Sequence, residues 1–157
     1  MEKIIDLEVL LQQEKESWLK EFDFDKAWQL GLFLRGRAIE LRAPVSLEVH
    51  AFGQVLFMAA LPGSSAENIE WMQRKRNTAL RSAHSSMYIG MLNNSKGESM
   101  ATQPYIDPFK YTDHGGSFPL LNESGALIGA VSVSGLPSIE DHALAFWAIQ
   151  QLQQAGQ

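Results

Sequence analysis

"HGGSFPLLNESGALIGAVSVSGLPSIEDHALAFW", residues 114–147, decides how the chain is read. "FPLLN" and "ALIGAVSVS" are two strand-like runs joined by "NESG", which sets Gly125 where a tight turn favours positive φ. In the second run Leu127, Gly129, Val131 and Val133 alternate with Ile128, Ala130, Ser132 and Ser134, the two-residue period of a strand. Gly135 and Pro137 stop it. Ser138 is the predicted cap of a final helix, with Glu140 and Asp141 in its first turn, where the peptide dipoles favour acids. Ile139, Ala143 and Phe146 form one side of that helix. The stretch is therefore a hairpin that swings directly into a helix.

The rest of the chain extends this pattern. Residues 2–16 place Ile4, Leu7 and Leu11 at helical spacing, with Ile5 and Leu10 beside them. Asp23 or Asp25 caps a second helix, which runs to about Arg42 with Ala27, Leu30, Leu34, Ala38 and Leu41 as its apolar stripe; Pro44 ends it. "VSLEVHA" alternates Val45, Leu47, Val49 and Ala51 against Ser46, Glu48 and His50. With "QVLFMAAL" it reads as an antiparallel hairpin turning at "AFGQ". Ser64 and Glu67 have the spacing of a capping box for a long helix. That helix reaches Ser82 and, with a kink near His84, Leu92. Residues 93–117 read as a loop, and a loop of that length in a compact domain points to a function. Two hairpins imply an antiparallel sheet, so the class is α+β, with helices covering one or both faces.

The 157 residues predict one domain, 1–157, in which residues 1–24 form an N-terminal helical extension. The chain is 45% hydrophobic and 20% charged, enough to bury a core without staples. A formal net charge of −5 argues against a nucleic-acid footprint. With no cysteine, disulfides, thiolate nucleophiles and Cys-ligated metals are out. The acidic start "MEKIIDLEVLLQQEKESW" lacks a secretory signal pattern, and no run approaches the ~18 apolar residues that would span a membrane. The expectation is a cytoplasmic protein.

"GSFPLLNESGALIGAVSVSGLPSIEDHALAF" resembles the hairpin-plus-helix signature of the GlcG/HbpS-like family, also known for its haem-degrading domain. The form "HGGSFP…VSGLP…EDH" is similar to the UPF0303 branch. Upstream, "VHAFGQVLF" sits where the family has an Asp-x-x-Gly hairpin turn, and "RKRNTALRSAHSS" sits where it has Lys-Ala-x-Thr-Ala. The likeness spans about residues 40–150. It implies a profilin-like fold with a five-stranded antiparallel sheet flanked by helices, and homo-oligomers of dimer size or higher. It also implies links to haem binding or degradation, to glycolate and diol utilisation, and to a domain attached to corrinoid adenosyltransferases. Lys75 and Thr78 match the family's Lys and Thr. Pro119, Gly125, Gly129, Val133, Ser134 and Gly135 match its hairpin, and Asp141 matches the Asp of its last helix. Two departures stand out: His50 replaces the usual Asp, and the span from Gly-Gly to Pro119 is one residue longer.

Each candidate group has two readings. Glu140, Asp141 and His142 either line a pocket rimmed by glycines, with His142 as acid, base or axial ligand, or act as first-turn acids beside a packed imidazole. Lys75, on a helix stripe with Trp71, Thr78, Ala79 and Ser82, either anchors an anionic ligand or snorkels to solvent. His114-Gly115-Gly116-Ser117 forms an anion-binding nest or a flexible loop end. His50, His84, His114 and His142 lack metal-ligand spacing, although a lone His can ligate haem iron. "WMQRKR" reads as a solvated helix face or an oligomer contact. No G-x-S-x-G elbow supports nucleophilic hydrolysis.

The residues and the resemblance lead to a homo-oligomeric small-ligand-binding domain. Its candidate site is Lys75, Thr78, Gly115, Gly116, Ser134, Gly135, Glu140, Asp141 and His142. The core pattern requires no cofactor or metal; haem or a corrinoid enters through the resemblance. Two alternatives are a protein-interaction or assembly module without chemistry, and an enzyme degrading haem or acting on a small metabolite. The expected partners are further copies of the chain and a small molecule, with neither nucleic acid nor membrane.

Overall fold

A computed structural model describes residues 5–156 of the chain. The order is α1 (Leu7–Glu16), α2 (Phe24–Glu40), β1 (Ser46–Ala51), β2 (Gln54–Ala60), α3 (Ala66–Ser82), α4 (Ser86–Ser95), a short 3₁₀ turn (Met100–Thr102), β3 (Ser117–Leu121), β4 (Leu127–Ser134) and α5 (Ser138–Gln154). The fold is α+β, with an antiparallel sheet in the order β2-β1-β4-β3. The sheet has four strands, not the five implied by the resemblance. Beyond β3 the link between α1 and α2 makes a single parallel bridge, Leu19 to Asn122, because α2 begins too soon afterwards for a strand to form.

Both hairpins follow the sequence pattern. Phe52 and Gly53 sit at φ 55° and 77°, a two-residue turn whose twist suits the paired strands. At the second turn Asn122 Oδ1 accepts from the N–H groups of Ser124 and Ala126 (2.9 and 3.0 Å).

Val45, Leu47, Val49, Val131, Val133, Phe118 and Leu120 bury one face of the sheet against Ala27, Leu30 and Leu34 of α2 and Ala145, Ala148, Ile149 and Leu152 of α5. On α5 the buried face is therefore this one. Ile139 and Ala143, on the side singled out in the sequence, are exposed. Leu41, the last member of the predicted α2 stripe, is also exposed.

The other face of the sheet is polar yet buried beneath α3. Glu48 is 2% exposed, and Arg76 Nη1 donates to both of its oxygens (2.9 and 2.8 Å). Burial nevertheless holds the Glu48 carboxyl above its ordinary range, with Arg76 pulling the other way. Ser132 donates to Ser117 (2.8 Å) in the same layer.

Of the two candidate caps for α2, Asp23 is the one used, accepting from Lys26 N at 2.8 Å. Other helix ends differ from the sequence reading. Ser65, not Ser64, caps α3, and Asn68 Oδ1 accepts from its N–H (2.9 Å); Ser64 instead donates to the Leu61 carbonyl. α3 does not kink onward. Ala83 turns left-handed (φ 58°), and Ser85 caps a separate α4. α5 is capped by Pro137, with Ser138 as its first residue. α1 begins at Leu7 behind the Asp6 cap, and the part of the predicted helix before residue 5, including Ile4, lies outside the described residues.

Candidate functional site

β4 ends at Ser134, and Gly135 takes φ 145°. A Cβ there would collide with the Pro44 carbonyl, so only glycine lets the chain turn this closely into α5. Asp141, in the first turn of α5, reaches back over that corner. Its Oδ1 accepts from Leu136 N at 2.9 Å and its Oδ2 from Gly135 N at 3.3 Å. Oδ2 also accepts from Lys75 Nζ of α3 at 3.0 Å. Lys75 Nζ donates further to the Val133 carbonyl (3.4 Å). Both charges are buried, with side-chain exposures of 5% and 0%. Burial pushes the Asp141 carboxyl above its usual range, opposed first by the Lys75 charge and then by the two backbone donors.

The glycines of the preceding loop allow close packing, Gly116 against Lys75 itself. At Gly116 (φ 144°) a Cβ would strike the Val133 carbonyl and press within 2.9 Å of Lys75 Nζ. At Gly115 it would meet Met87 and the Ser138 carbonyl. Thr78 clamps the same loop, donating to the Thr112 carbonyl (2.7 Å) and accepting from Thr112 N (3.2 Å). The stretch is thus a packed support. Two of the four N–H groups of the suggested nest are engaged inside the protein, His114 N with Thr112 Oγ1 and Ser117 N with Ser86 Oγ.

His142 follows Asp141 but faces the core. It is fully buried, its ring 5.6 Å from that of Phe118. Nε2 meets Gln13 Oε1 of α1 at 2.6 Å, while Nδ1 has no hydrogen-bond partner among the described residues. Burial pushes the imidazole down to about 4, leaving it neutral at physiological pH.

The structure therefore brings together Lys75, Thr78, Gly115, Gly116, Ser134, Gly135 and Asp141. It leaves Glu140 exposed on the outside of the corner and His142 on its inner side. Two readings need correcting. Lys75 does not snorkel, because Asp141 holds it inside. Asp141 is a first-turn acid as the sequence implies, but a buried one that also accepts from Lys75. "WMQRKR" is also not one solvated face: Lys75 and Arg76 turn inward, while Trp71 and Arg74 line a groove.

The remaining histidines occupy distinct settings. His84 Nδ1 pairs with Glu14 Oε1 (2.7 Å), and this bond holds its imidazole above the ordinary value. His50 is half-buried near Arg76, its Nδ1 unpartnered, and burial lowers its value. His114 is exposed at the tip of the supported loop, its ring 5.0 Å from that of Trp71. Sequence reasoning singled out neither the Trp71 groove nor the reach of Gln13 to His142. The i,i+3 spacing of Trp71 and Arg74 was a legible clue to the groove; its far wall, Phe109, comes from the loop and left none. Among the described residues no three His, Asp or Glu side chains are grouped to hold a metal ion, and no helix is long and apolar enough to cross a membrane.

Comparison with known proteins agrees at three levels. Residues 22–150 match the family described as "Haem degrading protein HbpS-like". A UPF0303 protein of Streptomyces avermitilis is 42% identical over 139 residues, 88% of this chain and 85% of that one. The crystal structure of the Ybr137w protein superposes with a TM-score of 0.88 at 29% identity, covering 97% of this chain and 90% of that one. A PduOC:haem complex shares the fold at a TM-score of 0.71 and 22% identity, over 82% of this chain and 93% of that one. The chain belongs to the HbpS-like family, on its UPF0303 branch.

Proposed function

We propose that the chain is a homo-oligomeric small-ligand-binding domain whose ligand is of the tetrapyrrole class, haem or a corrinoid. One observation carries the reading. Thr78 bonds Thr112 twice and Ser86 accepts from Ser117 N, so both ends of the 112–117 loop are anchored, and that loop presents the exposed imidazole of His114. In this reading Lys75, Thr78, Gly115, Gly116, Ser134, Gly135 and Asp141 are positioning residues, and the ligand meets what they hold.

The donor set fits an iron or cobalt tetrapyrrole through one histidine. His142 is enclosed, His84 is tied to Glu14, and His50 is half-buried with its Nδ1 enclosed. His114 alone of the four combines an exposed ring with nitrogens that make no hydrogen bond among the described residues. A ligand that binds only the native state raises its stability in proportion to the logarithm of its concentration. A melting screen against hemin, cobalamins and small organic acids is expected to give a concentration-dependent rise with a tetrapyrrole. No rise with any of them removes the ligand-binding reading.

Self-association is the second part of the proposal. Phe24, Trp28 and Leu32 repeat every four residues along the outside of α2, each at least half exposed, and Phe24 adjoins exposed Phe52 at 5.6 Å. Beside them β2, "QVLFMAA", is an edge strand without charge or proline, the kind of edge that invites a partner. Light scattering at micromolar protein is expected to give a multiple of 17.5 kDa. A monomer mass rejects it. The same face supports the alternative of an assembly module without a small ligand, the outcome if the mass is a multiple and the melting screen is flat.

A further inference from the structure

We infer that the groove between α3 and the loop before β3 binds a nucleoside monophosphate, with its base on Phe109 and its phosphate between Arg74 and Lys110. The inference is independent of the tetrapyrrole reading, since neither a metal nor His114 takes part. The groove holds about 790 Å³, room enough for a ligand of that size, and Trp71, Arg74, Phe109 and Lys110 line it. Its two walls are fixed to each other. Asn77 Nδ2 donates to the Lys110 carbonyl at 2.9 Å, which ties the loop to α3. The Arg74 guanidinium lies 4.3 Å from the centre of the Trp71 ring, a contact that orients it.

Both cations are open to an anion. Neither Arg74 nor Lys110 makes an ion pair among the described residues, and Arg74 Nε is buried without a hydrogen-bond partner. A buried guanidinium nitrogen left without an acceptor is uncommon in a folded protein. A phosphate monoester carries close to two negative charges at neutral pH, which these two cations match. An arginine fork also takes phosphate oxygens in pairs. The rest of the lining selects what carries the phosphate. Phe109 is 90% exposed, an apolar ring on which a base can stack. Along α3 the groove runs from Glu67 and Glu70 to Arg74, which lies about 6 Å beyond Glu70 on the helix axis, a distance that a sugar phosphate spans. The two carboxylates accept from ribose hydroxyls and repel phosphate, so the phosphate is left the Arg74–Lys110 end.

The test uses exposed or half-buried residues, so folding is not at stake. AMP and ribose 5-phosphate are titrated calorimetrically into the full chain at low and at high salt. AMP is expected to bind saturably and more tightly than ribose 5-phosphate. The Arg74→Ala/Lys110→Ala double variant is expected to weaken AMP about tenfold at low salt, from a few-fold per partly exposed charge contact, and to lose the salt dependence. Phe109→Ala is expected to weaken AMP about fivefold or more through the lost stacking and to keep the salt dependence. Ribose 5-phosphate binding as tightly as AMP would show a phosphate site without base recognition and would overturn the inference. So would wild-type AMP affinity in either variant, or AMP binding by wild type no tighter than by an unrelated protein of the same net charge. In each case the tetrapyrrole reading is untouched, because its own test uses hemin and cobalamins.

Discussion

Lys75→Met is expected to destabilise the fold by about 3–5 kcal/mol, the usual cost of removing one partner from a buried ion pair. The pair is buried, and Asp141 keeps its Leu136 and Gly135 donors but loses the only cation bonded to it among the described residues. At about 2–4 °C per kcal/mol for a chain of this size, the melting point should fall by roughly 10 °C. Adding Asp141→Asn should recover at least half of the loss, because Asn removes the buried charge and keeps an acceptor for Leu136. The penalty should shrink in acid, where a protonated carboxyl no longer needs the ammonium. Urea unfolding at equal protein concentration measures all three. A loss below about 1 kcal/mol, or a double variant no better than the single, would show that the pair is not what holds the corner.

Acid should unfold the protein through His142. Its folded value lies near 4, against about 6.5 when exposed, so between these two values the unfolded chain binds a proton that the folded chain refuses. Stability therefore rises with pH across that window and is lost as pH falls through it, by ~3 kcal/mol in all. His50, also lowered by burial, acts in the same direction. Glu48 and Asp141, whose folded values are raised, oppose it at the acid end. His84 works the opposite way from His142. Its raised value gives a contribution that is complete below its unfolded value and disappears as pH rises through the folded one. The difference between wild type and His142→Leu isolates the His142 limb. Stability curves with the same slope between pH 4 and 6.5 in both proteins would contradict the assignment.

Both hairpins were legible because the strands alternate and the turns carry Gly53 and Gly125 at positive φ. The core face of β1 followed from the same alternation. Its other face did not, since a strand with Ser46, Glu48 and His50 on one side ordinarily turns that side to water. Here α3 covers it, and Glu48 is satisfied by Arg76, 28 positions away. Lys75 and Asp141 meet across 66 positions, a pairing that no local pattern encodes. The first-turn rule placed Asp141 at a helix start, which holds, but it carries no information on the burial that the packed corner imposes. On α5, Ile139, Ala143 and Phe146 are apolar at helical spacing, yet of these only Phe146 packs on the core, beside the fully buried Ala145, Ala148 and Ile149. The fifth strand came from the resemblance alone, and the described sheet has four. The Gly-rich stretch is consistent with close backbone approach: the Ser138, Val133 and Pro44 carbonyls lie where Cβ atoms at Gly115, Gly116 and Gly135 would sit.

The most direct measurement is a calorimetric titration of hemin into the wild-type chain at neutral pH, beside an unrelated protein of similar size and the same net charge of −5. A rigid loop presenting His114 should give saturable binding near one hemin per chain and tighter than the control. A linear, unsaturated heat trace indistinguishable from the control would contradict the tetrapyrrole reading.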